Sequence, residues 1–578
     1  MSLALGVGCA DWDRLHSVLH DIEFGCDIGC RGNARNASRS GNAPSAFKFG
    51  EQISDAVADW LDAGFAAGPF TAEQVPPDAK VSGIMCREKP NGSARIILNL
   101  SAPVGRSVND GIDNKDFPTS MASTAKWVAI LNKAGRGCKF FKADWSVAYK
   151  HLHVRLFDTC LQWFCWLERF FVELNLVFGG RSSAGLFDRL AKVILDLALR
   201  LANFNPAMVC QYLDDICAAA AAGSLALAQF EAAYRQVAAD VGVQLAPTSD
   251  PDKAFSPTTS GVVLGIRYDS VAWTWCIPQE KLIRILRQLR AAVDADAIPQ
   301  AEMASIAGRI MHYAPLVPLG KFNIMYILKA AGSQVAKTAL VPLSPNTRRQ
   351  LYFWLVVLRA TDSHCKIPAV FPFPAWTFEF WTDAGGGSAS SIGQGCGGVA
   401  AGFWFVLPWG RVINSGVRAA DGRRIGRKMS ALELVGPLIC LAAGADLCRG
   451  RPVRIWVDNF GSVAIFKKGY STSCELSSTL VSAMAIVATA IGCRLTVDKI
   501  TRCSSTGATL ADELSKGQFA AFRRKLPDSW PLPVEPAYIP ASILAWVAHP
   551  CVDHGLGAKI LADLGVPFSS GTCLAALS

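Results

Sequence analysis

Residues 210–219 read CQYLDDICAA, two adjacent carboxylates (Asp214 and Asp215) inside an otherwise apolar run. Two like charges about 4 Å apart repel by roughly 4 kcal/mol at an effective dielectric near 20. An apolar setting further disfavours the ionised form, so such a pair asks for compensating positive charge. The apolar flanks suggest a tight hairpin carrying both acids to the end of a buried strand pair; the alternative is an exposed turn bearing two aspartates. Working outward, a third acid, Asp144, ends the strand-like CKFFKAD. Carboxylates at the ends of neighbouring strands can converge on two Mg²⁺ ions, which take oxygen ligands. Two ions about 4 Å apart stabilise the attacking and leaving oxygens of an in-line phosphoryl displacement.

The chain around this site has 578 residues, more than one hydrophobic core usually organises, so several domains are expected. A hydrophobic fraction of 51% and a charged fraction of 18% describe a globular chain, not a disordered one. The net charge of +10 suits a polyanionic partner without demonstrating one. Nineteen scattered cysteines, an odd number, fit free thiols in a reducing, intracellular setting, cytoplasmic or nuclear. The opening MSLALGVGCADW lacks a basic stretch followed by a sustained apolar one, so no secretory signal is expected. The uncharged LSSTLVSAMAIVATAIGC (476–493) is barely long enough to span a bilayer and is diluted by Ser and Thr; a buried helix leading into the strand CRLTV is expected, and no membrane span.

Residues 1–50, rich in Gly, Ser and Asn, read as a flexible arm. A helix is expected in QISDAVADWLDAGF, strands in ARIILNLS and CKFFKADWS, and long helical stretches over 184–201 and 217–240. SGVVLGIRYD and VAWTWCIP suggest a hairpin, with helices at 279–293 and 299–313; WFCWLERFF fits a strand pair. The Pro-rich KIPAVFPFPAW (366–376) marks a boundary, followed by a second α/β pattern in which TFEFWTDA, GVAAGFWFV and VRIWVDN are strands and 428–446 a helix.

In that second pattern four acids fall at element ends: Asp383 in TFEFWTDA, Glu433 in KMSALELVGPL, Asp458 in VRIWVDNFGS and Asp512 in TLADELSKG. The Gly/Ser-dense 385–398 has no G-x-x-x-x-G-K-[ST] pattern, so it is not a P-loop. CDIGC (26–30) and HPCVDH (549–554) offer zinc-type ligands without a second pair at a familiar spacing.

Taken together, the motifs resemble those of reverse transcriptases. YLDD matches their Y-x-D-D motif and KADWSVAY their first catalytic aspartate region; VFGGRSSAGLF (177–187) is similar to the loop and helix under template and nucleotide. GIMCREKPNGSARIILNLSAPVGRSVNDGI (83–112) resembles the fingers, especially those of DIRS-like, tyrosine-recombinase retrotransposons, and LAPTSDPDKAFSPTTSGVVLGIRYD the segment through the primer grip. TDA, EL, DN and ADxLS resemble an attached RNase H domain.

The resemblance implies an α/β (α+β) fold: a right-hand polymerase of fingers, palm and thumb, then an RNase H-like domain. It divides the chain into the arm (1–50), fingers and palm (51–278), thumb and connection (279–375), RNase H-like domain (376–520) and a C-terminal tail of unknown role (521–578). It implies that Asp144, Asp214 and Asp215 hold two Mg²⁺ ions, or Mn²⁺, at one catalytic site, and Asp383, Glu433, Asp458 and Asp512 hold two more at another. Tyr149 stands at the steric gate that excludes a ribose 2′-OH, Arg95 and Arg87 at triphosphate-gripping positions, and Phe178 and Gly179 along the nucleotide pocket. The implied partners are an RNA template, a DNA primer, an RNA–DNA hybrid and dNTPs. The sequence departs from the family at Glu88, commonly basic, at Gly185, commonly proline, and at Ala508, often asparagine. The competing reading is a decayed or domesticated copy that binds nucleic acid without catalysis.

Overall fold

In the computed structural model the acid-bearing run forms a hairpin. Val209–Tyr212 and Asp215–Ala220 pair antiparallel with Tyr212 opposite Asp215, which leaves Leu213 and Asp214 as a two-residue turn. Leu213 adopts φ +52°, a left-handed conformation that costs a residue with a Cβ about 1–2 kcal/mol. The structure describes residues 2–89, 92–317, 320, 323–333, 335–360, 365–366, 378–385, 395–409, 417–418, 424–425, 429–471, 474–502 and 504–566. It divides into two compact units, Met1–Val263 and Leu264–Ser578.

In the first unit the hairpin belongs to a four-stranded sheet ordered Phe255–Thr258, Lys139–Ala143, Asp215–Ala220, Val209–Tyr212. The expected helix over 217–240 is overturned in its first part: 215–220 is strand, and the helix runs only from Ala226 to Asp240. Alanine favours helix locally, but Ile216 to Ala220 pair residue by residue with Ala143 to Lys139 and are buried. Their small side chains also let the helices Thr124–Ala134 and Ala226–Asp240 pack on this strand. WFCWLERFF forms the strand pair Trp163–Trp166 and Arg169–Glu173 within a five-stranded sheet. The helix Gly50–Asp62 and the strand Ala94–Leu98 lie where the patterns put them, and Ile84–Glu88 pairs with that strand as a hairpin.

The segment read as a flexible arm is built into this unit. Ser38–Arg39 pairs with Lys80–Val81, and Cys26, Ile28 and Cys30 are buried. Asp158, fully buried, pairs with Arg35 at 2.5 Å and Arg155 at 2.8 Å and accepts from the Ile28 amide at 3.2 Å. Alternating Cys26, Ile28 and Cys30 and the helix Trp12–Phe24 with buried Leu15 and Val18 carry a periodic signal that the Gly, Ser and Asn content of the segment masked.

In the second unit, Ile266–Asp269 and Thr274–Cys276 form the expected hairpin, followed by helices Gln279–Asp294 and Gln300–Tyr313. A mixed sheet follows, ordered Phe403–Pro408, Gly395–Ala400, Phe378–Ala384, Pro452–Val457, Arg494–Lys499. The first three strands are antiparallel and the last two join in parallel. GVAAGFWFV is therefore not one strand but the end of one and most of another, turning at Gly402, where φ is +76°. The Pro-rich boundary beyond Lys366 and the Gly/Ser stretch at 386–394 lie outside the described residues.

The long uncharged stretch is the helix Glu475–Ala490, in which every residue from Leu476 to Thr489 is buried. A helix buried on every face must be covered all round. Met429–Ala443, Pro345–Ala360 and Leu556–Asp563 cover it, so the C-terminal segment supplies one of its walls. Among the described residues, no helix is long and apolar enough to cross a membrane.

Candidate functional site

The first carboxylate group forms at the hairpin turn. Ala143 pairs with Ile216, so Asp144 emerges beside Asp215, with Asp214 in the adjoining turn. Lys142, which sequence reasoning did not single out, lies 3.1 Å from Asp215 and donates to the Asp252 carbonyl at 3.0 Å. A signal for it existed: Lys142 and Asp144 are two residues apart, hence on one face of the strand. Burial raises the Asp144 carboxyl to about 7, helped by the charges of Asp215 and Asp214 and opposed by Lys142 and Lys253. Burial also raises Asp214, with Asp215 adding to it. For Lys142, burial acts to lower the ammonium, but Asp215 and its other anionic neighbours outweigh it and hold the group above its ordinary value. Val147, three residues after Asp144, has φ +48°. A β-branched residue in that conformation is an outlier, and such strain persists only where the surrounding structure over-determines the backbone.

Tyr149, Phe178 and Arg95 gather beside these acids. The Tyr149 ring lies 4.8 Å from Phe178 and 5.7 Å from Phe187, and the Arg95 guanidinium stands 5.2 Å from the Phe178 ring. Burial raises the Tyr149 hydroxyl, with Asp214 adding and Arg95 opposing. Arg87 lies directly opposite Arg95 in the hairpin, and both are exposed. Like charges opposite one another destabilise a strand pair, so two facing arginines suit a site that receives an anion. Gly179 has φ +111°, and a Cβ there would fall 2.0 Å from the Leu98 carbonyl oxygen, so only glycine lets this loop approach the hairpin of Ile84–Glu88 and Ala94–Leu98.

The second carboxylate group forms on the mixed sheet. Trp381 and Trp456 are parallel partners, so Asp383 and Asp458, each two residues further on, leave neighbouring strands side by side. Glu433 comes from the helix Met429–Ala443 and Asp512 from the helix Thr506–Ser515, both packed on the Asp383 strand. Gly397, opposite Asp383, makes room for the latter helix: a Cβ there would lie 2.5 Å from that of Leu514. The next residue, Ser515, donates to Asp383 at 2.5 Å, and Lys516 pairs with Asp512 at 2.6 Å. Ser505 caps the helix by accepting from the Ala508 amide at 3.2 Å.

Oxygens of Asp383, Glu433 and Asp458 lie within 4.8 Å of one another, the only such group of three among the described residues. Asp144, Asp214 and Asp215 are neighbours but do not converge so closely. Burial raises Glu433 to about 9, with Asp383 and Asp458 adding to it, and also raises Asp383 against the Ser515 hydrogen bond. The buried Glu433 Oε2 has no hydrogen-bond partner. An orphaned carboxylate oxygen facing two further carboxylates fits a hard divalent cation. Arg502, also missed from the sequence, reaches Asp383 at 3.3 Å, Asp458 at 2.9 Å and Asp512 at 3.4 Å.

No family model matches the chain, and no curated protein matches it. Among solved structures it is similar to the foamy viral protease–reverse transcriptase in complex with dsDNA, at 14% identity and a TM-score of 0.42, covering 82% of this chain and 86% of that one. It is also similar to that protein in complex with RNA/DNA hybrid, at 14% identity and 0.42, covering 81% of this chain and 55% of that one. A third, the protease–reverse transcriptase dRH with dsDNA, shares 13% identity at 0.42, covering 82% and 72%.

Proposed function

We propose that the chain is a retroelement RNA-directed DNA polymerase with RNase H activity, of the DIRS-like kind that its motifs resemble. What carries the reading is the presence of two separate carboxylate groups, each drawn from elements far apart in sequence. In this reading Asp144 and Asp214 hold two divalent ions with Asp215 in support, and Asp383, Glu433, Asp458 and Asp512 hold two more. Bound Mg²⁺, or Mn²⁺, would activate an attacking oxygen and stabilise the leaving one.

The chain's own residues do the rest. Arg95, with Arg87 beside it, grips the triphosphate, which guanidinium geometry suits. The Tyr149 ring, braced by Phe178 and Phe187, occupies the space that a ribose 2′-OH would need. Gly179 permits the backbone to approach the nucleotide. At the second site Ser515 orients Asp383 through its hydrogen bond. The enzyme thus copies an RNA template into DNA from a primer and hydrolyses the RNA of the resulting hybrid. Template affinity should fall steeply with salt, because phosphate contacts release counterions.

Primer extension on an RNA template with dNTPs or rNTPs, run alongside cleavage of a labelled hybrid, tests both halves. Activity with dNTPs and cleavage of the RNA strand are expected. Absence of both in folded protein would leave only nucleic-acid binding.

A further inference from the structure

The cation at the second site stands in the way of the ions that site would bind. Arg502 contacts Asp383 Oδ1, Asp458 Oδ2 and Asp512 Oδ1, and a divalent ion drawing on those oxygens would have to displace it. Arg502 lies three residues past the strand Arg494–Lys499 and before the helix Thr506–Ser515, outside both, and its side chain is 52% exposed. Among the described residues, its ion pairs are all with acids of this site. A guanidinium so held is free to leave into solvent, and its planar donor fork fits phosphate oxygens as well as carboxylates.

We propose that Arg502 is a displaceable counter-cation. It neutralises the carboxylates in the metal-free protein, gives them up when divalent ions bind, and then takes a backbone phosphate of the RNA–DNA hybrid. The inference rests on the nuclease reading of this site. It makes Arg502 a residue that couples loading of the site to capture of the substrate, since the same side chain serves one state or the other.

The test measures binding, not turnover. Mn²⁺ is titrated into the full-length protein without nucleic acid and followed by electron paramagnetic resonance, with Asp383→Asn identifying the signal of this site. Arg502→Gln should bind Mn²⁺ there about tenfold more tightly, the effect of removing a half-screened cation from contact with three carboxylates. Arg502→Lys, which keeps a charge without the fork, should fall between and serves if the glutamine variant does not fold. In Ca²⁺, affinity of Arg502→Gln for an uncleaved hybrid should fall, with a log–log salt slope shallower by about one. Unchanged Mn²⁺ affinity, or an unchanged salt slope, overturns the exchange while leaving the nuclease reading in place. A wild-type protein with no Mn²⁺ signal that Asp383→Asn removes would overturn both.

Discussion

At the hairpin turn the charge that balances the carboxylates is Lys142, whose side chain is 9% exposed and which is fixed by its strand; on the mixed sheet it is Arg502, 52% exposed and outside the flanking strand and helix. The carboxylates differ in parallel. Those of the first site are spread around a short turn, and three of the second site's four, Asp383, Glu433 and Asp458, already converge within 4.8 Å. A buried lysine held by both a carboxylate and a backbone carbonyl is part of the fold, and removing it exposes the fold to unbalanced charge. An arginine whose ion pairs, among the described residues, are all with the site's acids is part of the site, and removing it changes what the site binds. Two acidic sites in one chain can thus meet the same electrostatic demand with a permanent cation or an exchangeable one.

The largest test of this contrast is whether the sites act separately. Asp214→Asn should reduce dNTP incorporation to background and spare hybrid cleavage, and Asp383→Asn should do the reverse; either variant losing both activities while folded would dissolve the two-site assignment. Next in size is the cost of removing each cation in chelator-treated protein. Lys142→Met should lower stability by about 2–3 kcal/mol in urea titration, below the usual cost of breaking a fully buried pair because Asp215 keeps some solvent access. Arg502→Gln should cost less, about 1 kcal/mol, because the guanidinium is half exposed and the buried Asp383 and Asp512 keep Ser515 and Lys516 as partners. Equal losses would erase the distinction between fixed and exchangeable.

A smaller effect should mark the first site alone. Tyr149→Ala is expected to relax the preference for dNTPs over rNTPs by about tenfold, within what one steric contact supplies, with hybrid cleavage unaltered. Competition assays with mixed nucleotides would read it. A separate effect at the first site concerns pH. Asp144 titrates near 7 in the folded protein against an ordinary 3.8, so the folded state binds the proton more tightly. The stability this lends is complete below pH 3.8 and is lost as pH rises through 7. In metal-free protein Asp144→Asn should therefore flatten the fall in Tm between about pH 4 and pH 7; an unchanged slope would mean the carboxyl is not desolvated as described.

Much of the fold could be read from local pattern. The aromatic-centred run CKFFKAD and the apolar flanks of YLDD gave strands because short runs of apolar residues must be buried on a sheet. The reading failed where propensity and pairing disagreed. Ala218 to Ala220 look helical in isolation and are strand because Lys139–Phe141 pairs with them. AAG within GVAAGFWFV hid a turn, since Gly402 can take positive φ without interrupting the apolar run. Five of the seven acids stand at strand ends, as the spacing suggested, whereas Glu433 and Asp512 sit inside the helices Met429–Ala443 and Thr506–Ser515 and are buried.

By itself the sequence determined which segments are strands and helices in most of the chain, and that five of the acids stand at strand ends, because periodicity and spacing act over a few residues. Only the tertiary structure decided that Glu433 joins Asp383 and Asp458, that Lys142 balances one group, and that Arg502 and Ser515 serve the other. Arg502 meets Asp383 across 119 positions and Ser515 meets it across 132. No local rule constrains contacts of that range; they follow from how strands pair and how closely a helix can settle over a glycine.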